Sequence, residues 1–182
     1  STPVGGSYDP PSLHAWMGTD IFGRDVFSKA LIGTQVALSV GLVTVLISIP
    51  IGFILGAIAG YFGGVVDEII VWFYTTLSSI PGIMLLISIT FILGKGLVAM
   101  YIALGLTSWV GLCRMIRAEV MKHKSRDYVL AAEVVGVGTW GRLYRHILPN
   151  VFHIIIIDAS LTFQMAIKSE VILSYLGLGV QD

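Results

Sequence analysis

The 182-residue sequence has few charged residues and only one cysteine. Charged residues make up 12%, against roughly 25% in soluble domains. Hydrophobic residues make up 55%, and the mean hydropathy is +0.88, which indicates an integral membrane protein. The 11 basic and 11 acidic residues balance, so the charge does not suggest a nucleic-acid partner. The lone Cys113 excludes an internal disulfide and a cysteine-based metal site.

The sequence also lacks the usual motifs for nucleotide and metal binding. It has no GxxxxGK[ST] phosphate loop, which excludes P-loop binding of ATP. Residues 136–141 match the GxGxxG spacing of dinucleotide sites, but the preceding residues favour a helix instead of the required strand. The four histidines have no ligand-like spacing, and no nucleophile, base or metal cluster gathers in one region. We therefore expect no cofactor, no metal and no enzymatic activity in this chain.

Long uncharged runs predict membrane-spanning helices, because a bilayer core of about 30 Å needs roughly 20 apolar helical residues. The first run is longer than needed, so we expect it to tilt or to kink near Pro50. The second run is interrupted by Pro81-Gly82, and the fourth contains Asp158. The prediction is an all-α, polytopic transmembrane protein with about four to five spans. The runs are about Leu31 to Tyr61, Ile69 to Gly94, Leu97 to Arg117 and Val151 to Ile167.

The basic residues predict the orientation. Seven of the eleven lie between Gly111 and Leu148, and short loops rich in Lys and Arg stay on the cytoplasmic side. We therefore expect a cytoplasmic loop at about 118–149, an extracytoplasmic lead segment at 1–30 and a transmembrane domain over 31–182. The sequence begins with neither Met nor an apolar signal segment, so we expect a missing upstream membrane helix and interpret the chain as a fragment.

Four glycines recur every four residues along the first span and so share one helix face: Gly52, Gly56, Gly60 and Gly64. Small residues on a membrane helix let a second helix approach closely. Packing within one subunit is the simpler interpretation, and a dimer seam or a moving interface is the alternative.

The lead segment contains charges that are close in sequence. Asp25 and Lys29 have the acid-first i, i+4 spacing that favours an ion pair on a helix, and Asp20 and Arg24 lie nearby. We interpret this segment as the polar start of a helix at the lipid surface. A gate, or a docking surface for an external solute-delivery protein, is the alternative.

The basic loop carries a motif with a defined spacing. It consists of Ala131-Ala132, three residues, Gly136, nine residues, then His146, one residue, Leu148 and Pro149. This pattern resembles the cytoplasmic loop of the inner-membrane permease subunits of bacterial ABC importers. Their signature reads Glu-Ala-Ala, three residues, Gly, nine residues, Ile, any residue, Leu-Pro. The chain departs from it twice, with Leu130 in place of Glu and His146 in place of Ile.

Three further stretches resemble the peptide-importer branch of that family, which includes oligopeptide, dipeptide and nickel permeases. GTDIFGRDVFSK, at Gly18 to Lys29, is similar to the branch's GTDxxGRDVxSR motif before the first span. AGYFGGVVDEII, at Ala59 to Ile70, is similar to its AGYxGGxxD turn, and SEVILSYLGLGVQ, at Ser169 to Gln181, to its closing ExxLSFLGLGVQ.

The resemblance implies a role for the loop. Family permeases present the Ala-Ala…Gly segment as a short helix that docks in a groove of a separate ATPase subunit, and closure of the ATPase pair moves it. Val129, Ala132, Val135 and Gly136 would form an apolar face suited to such a groove. The implied partners are two ATPase subunits, a second permease subunit and an extracytoplasmic solute-binding protein.

Two polar residues of the fourth span are candidates for the translocation path or for pairing with another helix. Asp158 and Gln164 lie within an otherwise apolar run, and such groups are costly in lipid and often functional. We favour a structural pair over solute contact for Asp158. Lys168 and Glu170 lie at the outer end, where we expect them to reach the membrane interface.

The sequence therefore predicts a permease subunit that imports di- or oligopeptides across the bacterial cytoplasmic membrane. ATP hydrolysis would take place on separate subunits. The alternatives are an ABC permease for nickel or another small solute, or a secondary transporter needing no ATPase, for which Pro50 and Pro81-Gly82 give the only hints of broken helices.

Overall fold

A computed structural model describes residues 2–179, of which 2–25 form an irregular segment with one isolated β-bridge and 26–175 are mostly helical. The all-α prediction is confirmed. The helices are α1 Val26–Phe62, α2 Gly64–Ser78, α3 Gly82–Leu93, α4 Leu97–Lys124, α5 Asp127–Val134, α6 Thr139–Gly141, a π-helical segment Arg142–Ile147, and α7 Leu148–Tyr175.

Three helical stretches are long and apolar enough to cross a membrane: α1, α4 and the continuous stretch Thr139–Tyr175. The second predicted span is divided into α2 and α3, which are bent by 88° relative to each other. The break lies at Ser79 to Pro81, where proline lacks the N–H that would continue the helix. Counting this pair as one span gives four, the lower end of the predicted number.

Helix α1 begins at Asp25, whose carboxylate accepts hydrogen bonds from the backbone N–H groups of Phe27 and Ser28. This N-cap satisfies donors that the helix itself leaves free. The predicted Asp25–Lys29 ion pair is therefore wrong, because Lys29 bonds instead to Asp20 at 2.7 Å. The same contact lowers the pKa of Asp20 to about 2.

Helix α1 packs closely against α4, and glycines make this approach possible. A Cβ at Gly52, Gly56 or Gly60 would lie 2.6–2.7 Å from a backbone carbonyl oxygen of α4. The interpretation as packing within one subunit is confirmed for these three positions. Gly64 lies outside the stripe, because it begins α2 with a φ of 53° and has no neighbour within 4 Å.

The order of these contacts shows that α1 and α4 are parallel. The carbonyl oxygens facing the three glycines belong to Trp109, Cys113 and Arg117, so residue numbers rise together along both helices. The bent α2–α3 pair must therefore carry the chain back to the starting end of α1. Helix α7 is antiparallel to both, since its early residues pack beside the end of α1 and its late residues beside Val40 and Met100.

Candidate functional site

The predicted motif forms a compact unit at the end of the bundle where α1 and α4 terminate. A buried apolar cluster joins five elements there, and we call it the inner cluster. Its members are Ala57, Tyr61, Leu112, Ile116, Val120, Val129, Leu143, Ile147, Leu148, Val151 and Ile154. Burial of this apolar surface fixes the loop elements against the membrane helices.

Helix α5 contains Ala131 and Ala132 and contacts the bundle through one side only. Val129 and Ala132, one helical turn apart, are buried, at 2% and 6% exposure. Leu130, Val134 and Val135 point outward, at 47%, 87% and 78% exposure. The predicted face of Val129, Ala132, Val135 and Gly136 is therefore not one exposed surface, because the bundle already covers its first two members.

Gly136 ends α5 by a defined hydrogen-bond pattern. Its φ is 86°, its N–H donates to the Glu133 carbonyl, and the N–H of Val137 donates to the Ala132 carbonyl. These bonds form a Schellman motif, whose left-handed position favours glycine. A Cβ here would have no neighbour within 4 Å. The sharp turn expected at Gly136 is thus present, and the backbone conformation alone requires the glycine.

Two charged side chains attach the loop to its neighbours. Arg142 Nη1 lies 2.5 Å from the Glu133 carboxylate, which joins the end of α5 to the π-helical segment. Lys124 Nζ donates to the Tyr61 carbonyl at 2.6 Å and so satisfies one of the free carbonyl groups at the end of α1. A cavity of about 320 Å³ lies beside these two contacts and is lined by residues of α1, α4, α5 and the π-helical segment, among others.

The second half of the motif lies at the junction of the π-helical segment and α7. Leu148 is buried in the inner cluster, His146 is half-buried, and Pro149 is exposed. The fourth span does not begin near Val151, because helical backbone is continuous from Thr139. Pro149 has no N–H and disturbs an ordinary helix, and the wider π turn, with the Leu148 N–H bonded to Leu143, lets the helix pass through.

The two polar residues predicted in the fourth span do not share a surface. Asp158 is buried, and its carboxylate accepts a hydrogen bond from Thr162 Oγ1 at 3.2 Å. Gln164 is exposed. Their separation of six residues places them on different sides of a helix. Glu170 is buried within the bundle and accepts from Ser174 Oγ at 2.6 Å, and its position at the membrane interface stays a prediction.

Two arginines of α4 form contacts that the sequence did not predict. Both arms of the Arg117 guanidinium bond to the Asp67 carboxylate, at 2.5 and 2.6 Å. Arg114 donates to Ser78 Oγ at 2.8 Å and lies over the Tyr74 ring. These contacts attach α2 to α4. The predicted spans contained a usable signal, because the start of the second span beside Asp67 and the end of the third span at Arg117 fall on the same membrane face.

Within residues 2–179, no three His, Cys, Asp or Glu side chains lie close enough together to hold a metal ion. The site is made of an exposed short helix, a glycine turn and a charged anchor. Such a unit can transmit a mechanical displacement from a partner to the membrane helices.

Comparison with known proteins shows which family this chain belongs to. Residues 48–181 match the family described as "Binding-protein-dependent transport system inner membrane component". The chain belongs to this family. The match begins within α1 and takes in the whole of α2 to α7, so it covers every part of the candidate site. The family resemblance stated from the sequence motifs is confirmed.

Individual relatives are bacterial permease proteins. The oligopeptide transport system permease protein OppC of Bacillus subtilis strain 168 is 37% identical over 94% of this chain and 56% of its own length. The dipeptide transport system permease protein DppC of the same strain is 40% identical, over 94% and 54%. The glutathione transport system permease protein GsiD of Pectobacterium atrosepticum is 37% identical, over 94% and 57%. The chain spans about half the length of the curated relatives it matches.

Family membership establishes the general class of this protein. It is an inner-membrane component of a transport system, and as a permease component it is not itself an enzyme. The closing motif from Ser169 to Gln181 lies within the family match, although Val180 and Gln181 fall outside the residues that the structure describes.

Proposed function

We propose that this chain is part of the permease subunit of an ATP-driven importer that carries di- or oligopeptides inward across the bacterial cytoplasmic membrane. The relatives named above, which carry oligopeptides, dipeptides and glutathione by name, support the peptide class. Glutathione is itself a short peptide, so the three names share one solute chemistry.

The observation that carries the proposal is the geometry of α5. Val129 fixes it to the inner cluster and Ala132 is also buried, while Leu130, Val134 and Val135 remain exposed. Apolar side chains on one side of a short helix suit a groove in a partner protein. We infer that this side docks on an ATPase subunit and that α5 is the coupling helix, with ATP hydrolysis taking place on that partner.

The remaining site residues shape the loop around this helix. Ala131 and Ala132 have small side chains, which allow α5 to approach both the bundle and the ATPase subunit closely. Gly136 ends α5. His146, Leu148 and Pro149 lie where the loop continues into α7. The complete transporter would contain two ATPase subunits, a second permease subunit and an extracytoplasmic binding protein. In this arrangement the basic loop faces the cytoplasm, and the lead segment faces outward, toward the binding protein.

Val134→Asp tests the docking surface directly. Val134 is 87% exposed, so the change leaves the fold of this chain intact, whereas burying an unpaired carboxylate in a partner groove costs several kcal/mol. We expect the permease to insert normally and the ATPase subunits to be lost on co-purification, by at least tenfold. Leu13→Asp, at a position 92% exposed in the lead segment, is the matched control and should retain them.

The same preparations test the solute. Proteoliposomes containing the complete wild-type transporter should accumulate a labelled dipeptide with ATP, and the Val134→Asp transporter should not. Retention of the ATPase subunits by Val134→Asp would contradict the docking surface. Uptake of nickel ions in place of peptide by the wild type would contradict the peptide class while leaving the coupling site in place.

A further inference from the structure

The coupling helix needs more than apolar contact to transmit a movement. Burial of Val129 and Ala132 holds α5 against the bundle, but apolar contact has no preferred direction. A helix held only in this way can slide or rotate on its support when a partner pushes it. Hydrogen bonds depend strongly on distance and angle, so they determine whether a displacement of α5 reaches the membrane helices.

The first turn of α5 makes such a directional contact through Tyr128. Its hydroxyl lies 2.7 Å from His123 Nδ1 in the last turn of α4, and the two rings are in edge-to-face contact. His123 Nε2 in turn lies 3.7 Å from the carboxylate of Glu119, one turn earlier in α4. The connection between α4 and α5 is only Ser125-Arg126, so this contact closes a very short loop.

A separate hydrogen bond joins the start of α7 to the π-helical segment, since Asn150 Nδ2 donates to the His146 carbonyl at 2.6 Å. That carbonyl belongs to the π-helical segment beside Pro149, where the regular backbone hydrogen bonds of α7 are interrupted.

We propose that Tyr128 is a positioning residue of the coupling helix, whose hydroxyl joins the first turn of α5 to the last turn of α4 through His123. The opposite end of α5 is already joined to the π-helical segment by Glu133 and Arg142. With both ends held, a displacement of α5 moves α4 and α7 together. Without the hydroxyl, the first turn pivots about the Glu133–Arg142 contact, and part of the movement is lost. This inference rests on the proposed function.

Tyr128→Phe removes only the hydroxyl and keeps the ring. In proteoliposomes containing the complete transporter, we expect normal assembly and ATP hydrolysis within twofold of wild type. Peptide uptake per ATP hydrolysed should fall about two- to tenfold, the range expected for one hydrogen bond. Tyr175→Phe, which removes a hydroxyl from a position 91% exposed on α7, is the matched control and should keep the wild-type ratio.

His123→Ala tests the connection to α4. It should lower the same ratio to a similar extent, and the double variant with Tyr128→Phe should lower it no further, because both changes break one contact. Fully additive losses would overturn the connection. The role of Tyr128 would be overturned if Tyr128→Phe left the uptake per ATP hydrolysed unchanged. It would also be overturned if uptake and hydrolysis fell in proportion, or if the transporter no longer assembled. If wild type accumulated no peptide, or Val134→Asp kept its ATPase subunits, the proposed function would fail instead.

Discussion

At the residue scale, a glycine at a turn can satisfy either of two requirements, and Gly136 satisfies only one of them. One is space for a neighbour, and the other is a backbone conformation that other residues avoid. A Cβ at this position would have no atom of residues 2–179 within 4 Å, so Gly136 is not needed to make space for a neighbour. Its φ of 86° shows that it is needed for the backbone conformation. The Schellman motif at the end of α5 therefore depends on the torsion angle alone.

Gly136→Ala should lower the free energy of unfolding by about 1 kcal/mol, because alanine is strained in the left-handed region. This corresponds to a thermal midpoint about 2–4 °C lower for a chain of this size in detergent. Gly111→Ala is the matched control. Gly111 also has no neighbour within 4 Å but lies inside α4, where alanine is the better helix former. Equal midpoints for both variants would contradict the torsional explanation.

Single residues also mark the limit of what the sequence predicts. The motif spacing located α5 and its terminal glycine correctly, because both depend on local preferences along the chain. The outward side of α5 was assigned incorrectly, because the burial of Val129 and Ala132 depends on how α5 packs against the π-helical segment and α4. Likewise the Asp25 carboxylate caps α1, and Lys29 pairs with Asp20 instead. The i, i+4 spacing of Asp25 and Lys29 does not reveal that the helix N-terminus competes for the same carboxylate.

At the scale of elements, the glycines matter most where α1 meets α4. A Cβ at Gly56 would lie 2.6 Å from the Cys113 carbonyl oxygen and 2.9 Å from the Ile116 Cβ. Backbone atoms cannot move aside as a flexible side chain can. Close approach of this kind favours van der Waals packing, which holds membrane helices together where the hydrophobic effect does not.

Gly56→Ala should therefore force α1 and α4 apart and cost about 1–3 kcal/mol, the range for an overpacked interior. The matched control is Gly33→Ala on the same helix, where no atom lies within 4 Å and alanine should be neutral or slightly stabilising. Thermal unfolding in detergent compares the two. If Gly56→Ala unfolded at the same temperature as Gly33→Ala, the glycines would not be setting the distance between the helices.

Helix ends were harder to predict than helices. The predicted start of the last span near Val151 followed from the uncharged run that begins close to Pro149. The chain instead keeps helical backbone from Thr139 by widening one turn before Pro149. A proline, Pro81, also lies at the 88° bend between α2 and α3, where the sequence predicted an interruption. Proline thus marks an irregularity, and the surrounding packing determines whether the helix bends or continues.

At the scale of the whole molecule, the helix directions show that the chain passes back and forth between the two ends of the bundle. Helices α1 and α4 are parallel and α7 is antiparallel to them, so each connection returns the chain to the opposite end. Lys95 therefore lies at one end of the bundle, and the loop with α5 lies at the other. The charge distribution predicts that the end with α5 faces the cytoplasm, since seven of the eleven basic residues lie between Gly111 and Leu148.

Cysteine labelling on intact spheroplasts tests this orientation. The native Cys113 is wholly buried, so it contributes little background with a membrane-impermeant maleimide. Lys95→Cys and Ser125→Cys place thiols at exposed positions at opposite ends of the bundle. We expect Lys95→Cys to react from outside and Ser125→Cys to react only after permeabilisation. The reverse pattern would place α5 outside the cell, beyond the reach of any ATP-hydrolysing partner, and the coupling proposal would then be untenable.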